Sequence, residues 1–178
     1  MNTRHLLLWA SLALTMPLAA QTPQEDFKRD ITLSGSNYVA YRGPQKQLTP
    51  APKGYKPFYL SHYGRHGSRY MIGKSAYDVP YFSLLKAKKE GKLTAKGEET
   101  LEKVKVIREE AKGRDGELTP LGALQHQGIT KRMMEKFPEI FAGNTNIEAR
   151  STVVIRCILS MENGLQQMLR MNPKLHIF

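Results

Sequence analysis

Apolar and polar positions divide the chain into short apolar runs and longer stretches with helical spacing. Residues 57–63 are apolar and aromatic and are followed by glycine, which predicts a short buried strand ending in a loop over residues 64–73. Beyond that loop, apolar positions recur three or four residues apart, as they do on one face of a helix. The predicted helices cover residues 79–90, 94–112, 119–137 and 154–171, and further strands are predicted at residues 146–152 (with its turn) and 174–178.

Residues that begin and end helices support these boundaries. Thr94 and Thr119 are predicted N-caps, and Pro120 suits the first helical position because its ring fixes φ and no N–H is needed there. Gly91 is predicted to end the first helix, and residues 112–116 form a turn. Strands that alternate with helices in this way predict an α/β fold with a parallel sheet.

The two segments before residue 57 differ from this pattern. Residues 1–20 have a short polar start, an apolar run and small residues at the end, which predicts a signal peptide and hence an exported, periplasmic or extracellular protein. The alternative is a membrane anchor, but the run is shorter than the roughly 20 residues of a spanning helix, so no stable membrane span is expected. Residues 21–56 are rich in proline and glycine and predict an extended leader with little regular structure.

Composition adds a strong positive charge. The chain has 178 residues with 27 Lys and Arg against 16 Asp and Glu, so polyanions are the expected partners. Nucleic acid is not expected, because lysines on the helices alternate with glutamates and no recognition helix, zinc pattern or aromatic ribonucleoprotein motif occurs. A phosphorylated small molecule fits better. The single cysteine, Cys157, excludes an internal disulfide.

The loop after the first predicted strand carries Arg65-His66-Gly67-Ser68-Arg69. The planar fork of an arginine binds phosphate oxygens in pairs and keeps its charge. A neutral imidazole nitrogen is a nucleophile for phosphorus near neutral or acid pH. Gly67 lacks a Cβ, so we expect the backbone there to approach a ligand closely. These residue types together indicate phosphoryl transfer.

Two other interpretations of this loop have to be weighed. Arginines and a histidine in a loop are often a solvated turn. His62 and His66 also have the spacing of a zinc-binding pair on a helix, but the strand pattern and Gly64 argue against a helix there. We expect neither a metal ion nor a cofactor.

The stretch from Tyr63 to Tyr70 resembles the R-H-G-x-R-x-P signature of the histidine acid phosphatases, the second branch of the histidine phosphatase superfamily. Residues 118–125 (LTPLGALQ) look like the L-T-x-x-G-x-x-Q helix start of that family, and residues 149–161 resemble its segment with a third phosphate-binding arginine. The chain is most similar to the multiple inositol polyphosphate phosphatases. The resemblance implies a histidine-phosphatase α/β domain, of the phosphoglycerate-mutase-like kind, over residues 57–178.

The resemblance also implies roles for individual residues. His66 is the expected nucleophile that becomes a phosphohistidine, and Arg65, Arg69 and Arg156 are expected to hold the transferred phosphoryl group. Arg156 is preferred because a serine four residues later and the following amphipathic helix match the family pattern, while Arg150 remains the alternative. Ser68 and Tyr70 are further candidates for contact with the substrate.

Two departures from the family pattern qualify the expected activity. Met71 stands where the family has proline, and no His-Ala-Glu or His-Asp pair, the source of a second phosphate-binding histidine and the general acid, occurs in the sequence. We therefore expect this chain to be an incomplete, N-terminal portion of the domain, either a truncated gene product or one half of an assembly. The alternative function is a catalytically inactive phosphate-binding remnant.

Overall fold

The computed structural model describes residues 22–38, 41, 43–44 and 46–178. The predicted signal peptide, residues 1–20, lies outside the described residues. The chain divides into two compact units between residues 40 and 41. Each unit is described by itself.

The first unit contains helix α1 (Pro23–Arg29) and a 3₁₀ helix (Ile31–Tyr38). Thr22 and Glu25 form a capping box, in which each side chain accepts a hydrogen bond from the backbone N–H of the other. The prediction of a leader with little regular structure is therefore wrong for residues 23–38. The sequence Thr-Pro-Gln-Glu carries the signal for this helix, since it combines the capping box with proline at the first helical position.

Four helices form most of the second unit: α2 (Ser75–Lys89), α3 (Ala95–Glu110), α4 (Pro120–Lys136) and α5 (Ile155–Met171). The predicted N-caps are confirmed, because the Thr94 hydroxyl accepts from the N–H of Gly97 at 3.2 Å and that of Thr119 from Gly122 at 3.1 Å. Gly91 lies just after α2 at a φ of 66°, which favours glycine. Helix α2 begins four residues before its predicted start.

Strands β1 (Asn146–Ile147) and β2 (His176–Ile177) pair in parallel, and they are shorter than predicted. The prediction of a buried strand at residues 57–63 is wrong. That segment pairs with no strand in the described part of the chain, and Phe58 is 93% and Tyr63 101% exposed. An apolar pattern indicates a face that favours burial, but it does not specify a partner strand.

Helices α4 and α5 lie side by side and run in the same direction. Gln127 on α4 donates to Asn163 on α5 at 2.9 Å. Three residues further along α4, the buried Thr130 faces Gly164, where an added Cβ would lie 3.0 Å from the threonine hydroxyl. The first turns of both helices therefore lie at the same end of the pair.

The opposite end of this pair holds the apolar core. Met134, Phe141 and Leu175 are each 6% exposed and pack together. Partly buried apolar residues surround them, namely Leu60, Met133, Phe137, Ile140, Ile147, Met168 and Ile177. Helices α2 and α3 form a separate pair that buries Leu101. None of the helices in the described ranges has the length and apolar character needed to cross a membrane.

Candidate functional site

The loop that carries the predicted nucleophile is fixed to the first turns of α4 and α5. The N–H of Gly67 donates to the hydroxyl of Ser160 at 3.0 Å, and that hydroxyl donates to the carbonyl of Arg156 at 2.7 Å. Ser160 is 2% exposed, so both hydrogen bonds are shielded from water. The residue after His66 is thus bonded to the turn of α5 that begins with Arg156.

Ser68 is held from α4 on both sides of its peptide. Its N–H donates to the side-chain oxygen of Gln125 at 2.8 Å. Its carbonyl accepts from the Thr119 hydroxyl and from the Thr119 N–H, each at 2.9 Å. Further along, an antiparallel bridge joins Arg69 to Leu118. The conformation of the loop is therefore set by α4 and the residues just before it.

Two glycines allow this close contact between the loop and α4. A Cβ added to Gly67 would lie 2.4 Å from the carbonyl oxygen of Gly122, and one added to Gly122 would lie 2.2 Å from that of Ser68. Since these neighbours are backbone atoms, neither side chain is accommodated without a shift of the loop or helix. The absence of a Cβ at Gly67 thus allows close contact with helix α4. The expectation that it also allows a ligand to approach stays a prediction.

The ring of His66 has a defined tautomer when it is neutral. Its Nδ1 lies 2.8 Å from the carbonyl oxygen of Gly67, and a carbonyl oxygen only accepts hydrogen bonds. Nδ1 therefore carries the proton and donates. Nε2 of the neutral ring then keeps its lone pair, which is the requirement for a nucleophile.

Two of the predicted phosphate ligands are cations without a carboxylate partner in the described ranges. Arg69 and Arg156 are half-buried, and the Nε atom of each is buried without a hydrogen-bond partner there. Arg69 donates from Nη1 to the carbonyl of Tyr70 at 2.8 Å. A Cβ added to Gly116 would lie 3.3 Å from Nη1 of Arg156. The guanidinium of Arg156 therefore lies beside the strand-like pairing of residues 69–71 with 116–118.

The remaining arginines of the prediction differ in their surroundings. Arg65 is exposed and directly precedes His66. Arg150 is also exposed, and its guanidinium forms an ion pair with Glu148. Arg150 is thus already neutralised on the surface, whereas Arg156 lies in the turn of α5 that is bonded to the loop. These contacts favour Arg156 as the third arginine.

Tyr70, a candidate for substrate contact, is instead part of a buried network. It is 7% exposed, and its hydroxyl donates to Glu110 at 2.9 Å and accepts from Arg114 at 2.7 Å. Burial, followed by the hydrogen bond to Glu110, raises the pKa of this phenol above its usual value. The side chain stabilises the end of the loop.

Two further histidines lie near His66. The ring of His62 lies over Gly64, where an added Cβ would be 2.8 Å from Nε2. His126 is on α4, and its half-buried ring lies close to the backbone of Arg65. Burial lowers the pKa of His126, the backbone of Arg65 opposes this shift, and the nearby rings of His62 and His66 add to it.

Sequence reasoning did not assign roles to Gln125, His126 and Gly122. A signal was present, since Gln125 and His126 follow Gly122 by three and four residues and so lie on its face of the predicted helix. Polar residues on the inner face of a helix need buried partners. What the spacing does not give is the identity of those partners, which are backbone groups of the loop.

A separate cleft of about 170 Å³ lies between the start of α2 and the turn after α3. Its lining includes both cations and carboxylates: Lys74, Tyr77, Asp78, Arg108, Ala111, Lys112, Gly113 and Asp115. The Asp78 carboxylate is paired with Arg108 at 2.6 Å. Within the described ranges, no three histidine, cysteine or acidic side chains are grouped in a way that suits a metal ion.

No protein-family model matches the chain, and no curated protein is significantly similar to it.

Proposed function

We propose that this protein is an exported phosphomonoesterase that transfers a phosphoryl group from a phosphate ester to Nε2 of His66. Inositol polyphosphates of the phytate kind are the proposed substrates, together with related phosphorylated metabolites. The family proposal rests on the resemblance of residues 64–70 and 118–125 to histidine acid phosphatases.

The observation that carries the proposal is the pair of half-buried arginines without carboxylate partners. Partial removal of a cation from water without a counter-charge is costly, and the cost falls when an anion binds. The Nε atoms of Arg69 and Arg156 are buried and have no hydrogen-bond partner in the described ranges. Guanidinium groups bind phosphate oxygens in pairs. The first turns of α4 and α5 add partial positive charge at the same end of the helix pair.

In the proposed reaction, the lone pair on Nε2 of His66 forms a bond to phosphorus while the bond from phosphorus to the ester oxygen breaks. The departing oxygen leaves as an alcohol once it takes up a proton from solvent water. Water then attacks the phosphohistidine, which releases inorganic phosphate and restores the imidazole. Arg65, Arg69 and Arg156 offset the charge on the phosphoryl oxygens.

The test separates the nucleophile from the general acid. An aryl phosphate with an electron-withdrawing substituent, such as nitrophenyl phosphate, has a leaving group that departs without protonation, so its reaction depends on His66 and the arginines alone. We expect it to label His66, and we expect Arg156→Lys to reduce phosphate affinity about tenfold or more because Lys lacks the planar fork. The matched control is Arg150→Lys, which changes an exposed, already paired arginine and should leave the affinity unchanged.

A second function is the non-catalytic binding of phosphate, and one observation favours it. No His-Asp or His-Ala-Glu pair occurs in the sequence, and a general acid typically contributes about 10²- to 10⁴-fold to rate. Calorimetry with inorganic phosphate, combined with the labelling of His66, distinguishes the two functions. Binding without labelling of His66 by the aryl phosphate would support the non-catalytic function and overturn the esterase.

A further inference from the structure

Tyr70, the residue after Arg69, is anchored to the end of α3 and to the turn that follows it. Its hydroxyl donates to Glu110 at 2.9 Å and accepts from Nη1 of Arg114 at 2.7 Å. Cζ of Arg114 also lies 4.4 Å from the centre of the Tyr70 ring. A buried hydroxyl that both donates and accepts is fixed in orientation. We call these three residues, Glu110, Tyr70 and Arg114, the tyrosine network.

The backbone of Tyr70 pairs with residues that follow Arg114. The N–H of Tyr70 donates to the carbonyl of Glu117 at 2.9 Å, and an antiparallel bridge joins Arg69 to Leu118. The side chain of Glu117 accepts from Nε of Arg114 at 3.0 Å, so the network and the pairing are joined. Successive side chains of extended backbone point to opposite faces. Anchoring Tyr70 on one face therefore directs Arg69 to the other.

The carbonyl of Tyr70 orients the guanidinium of Arg69. Nη1 of Arg69 donates to that carbonyl at 2.8 Å. This hydrogen bond leaves the edge of the guanidinium formed by Nε and Nη2, where Nε has no hydrogen-bond partner in the described ranges. The N–H groups of that edge point the same way, which matches two oxygens of one phosphate.

We propose that Tyr70 is a positioning residue for Arg69, whose carbonyl is held by the tyrosine network so that the Nε–Nη2 edge of Arg69 is presented to a phosphoryl group. The inference rests on the proposed function above, and specifically on the binding of phosphate by Arg69. The three side chains of the network form no bond to the phosphoryl group. The Tyr70 hydroxyl should therefore affect phosphate binding only while Arg69 is present.

The test is a double-mutant cycle in the affinity for inorganic phosphate, measured by calorimetry. Tyr70→Phe removes the hydroxyl and keeps the ring, and we expect it to weaken binding about threefold to tenfold. Arg69→Lys removes the planar fork and should weaken binding about tenfold or more. The double variant should bind no more weakly than Arg69→Lys alone, because Tyr70 acts through Arg69. Tyr55→Phe is the matched control, since Tyr55 is 75% exposed and should not alter the affinity.

Each outcome decides the role of Tyr70. An unchanged affinity of either single variant, or a further loss when Tyr70→Phe is added to Arg69→Lys, would overturn that role and leave the labelling of His66 intact. Wild-type protein that neither binds phosphate nor labels His66 would overturn both proposals. The expected affinities without labelling of His66 would support the role of Tyr70 and overturn the esterase. If Tyr70→Phe does not fold, as judged by circular dichroism, Arg114→Lys takes its place in the cycle.

Discussion

The two ends of the α4–α5 pair are built from different interactions. At one end, the first turns contact the His66 loop through backbone groups, glycines and small polar side chains such as Thr119 and Ser160. At the other end, Met134, Phe141 and Leu175 form a cluster of apolar side chains. Hydrophobic burial is strong but non-directional, whereas hydrogen bonds and close backbone contacts fix orientation. We infer that the apolar end supplies stability and the loop end supplies geometry.

The largest effect on stability is expected at the apolar end. Met134→Ala removes a side chain that is 6% exposed, and such truncations cost about 2–5 kcal/mol of unfolding free energy. Chemical denaturation measures this loss. Because the apolar cluster around Met134 includes none of the described residues 64–73, the rate of His66 labelling per folded molecule should equal that of the wild type. A slower rate per folded molecule would contradict the inference that the apolar end supplies stability and not the geometry of the loop.

A smaller loss of stability with a larger effect on geometry is expected for Gly67→Ala. The new Cβ would lie 2.4 Å from the backbone oxygen of Gly122, and insertion into a packed site costs typically about 1–3 kcal/mol. We expect labelling of His66 to fall as the loop moves away from α4. The matched control is Gly73→Ala in the same loop, where the nearest atom outside the adjacent residues is 3.8 Å away and φ is not positive.

Ser160→Ala sharpens the comparison because it removes one hydroxyl and leaves the packing nearly unchanged. The N–H of Gly67 then loses a buried acceptor, which costs about 1–3 kcal/mol. We expect a moderate loss in a thermal melt together with faster hydrogen exchange at the Gly67 amide. Ser151→Ala, at an exposed position, should change neither measurement. Unaltered exchange at Gly67 would show that this hydrogen bond does not hold the loop.

The smallest effect is expected away from both ends, on the exposed face of α3. Lys103 forms an ion pair with Glu99, which has its pKa lowered by hydrogen bonds from Lys103 and Lys96. Both partners of the pair are exposed, and exposed ion pairs contribute little to stability. Lys103→Ala should therefore leave the melting temperature and phosphate affinity within experimental error. A clear loss of either would show that α3 contributes more than a charged surface.

Most helix ends were predicted well from the sequence because they depend on local chemistry, although α2 begins four residues before its predicted start. Thr94 and Thr119 cap their helices through atoms three residues away, and Gly91 ends α2 through its own φ angle. The segment at residues 57–63 was predicted wrongly, since strand formation depends on a partner that the local pattern does not specify.

In the candidate site, too, some features follow from the local sequence and others depend on contacts between distant residues. Arg65, His66 and Arg69 could be chosen from the sequence because they are adjacent and their chemistry suits phosphate. The choice of Arg156 over Arg150 gains support only from contacts, since Arg150 pairs with Glu148 and Arg156 lies in the turn bonded to the loop. The contact of Gly67 with helix α4 could be recognised only from the structure, because its partner Gly122 lies far from it in the sequence.

The central claim is that the loop end of the helix pair presents Nε2 of His66 to a phosphoryl group. The most direct measurement is mass spectrometry of the protein after brief exposure to an aryl phosphate and quenching without acid, which preserves a phosphorus–nitrogen bond. We expect one added phosphoryl group on the peptide that contains His66, absent in His66→Ala and present in His176→Gln. Release of the phenol by folded protein in which His66 stays unmodified would contradict the account. A phosphoryl group found on another residue would contradict it as well.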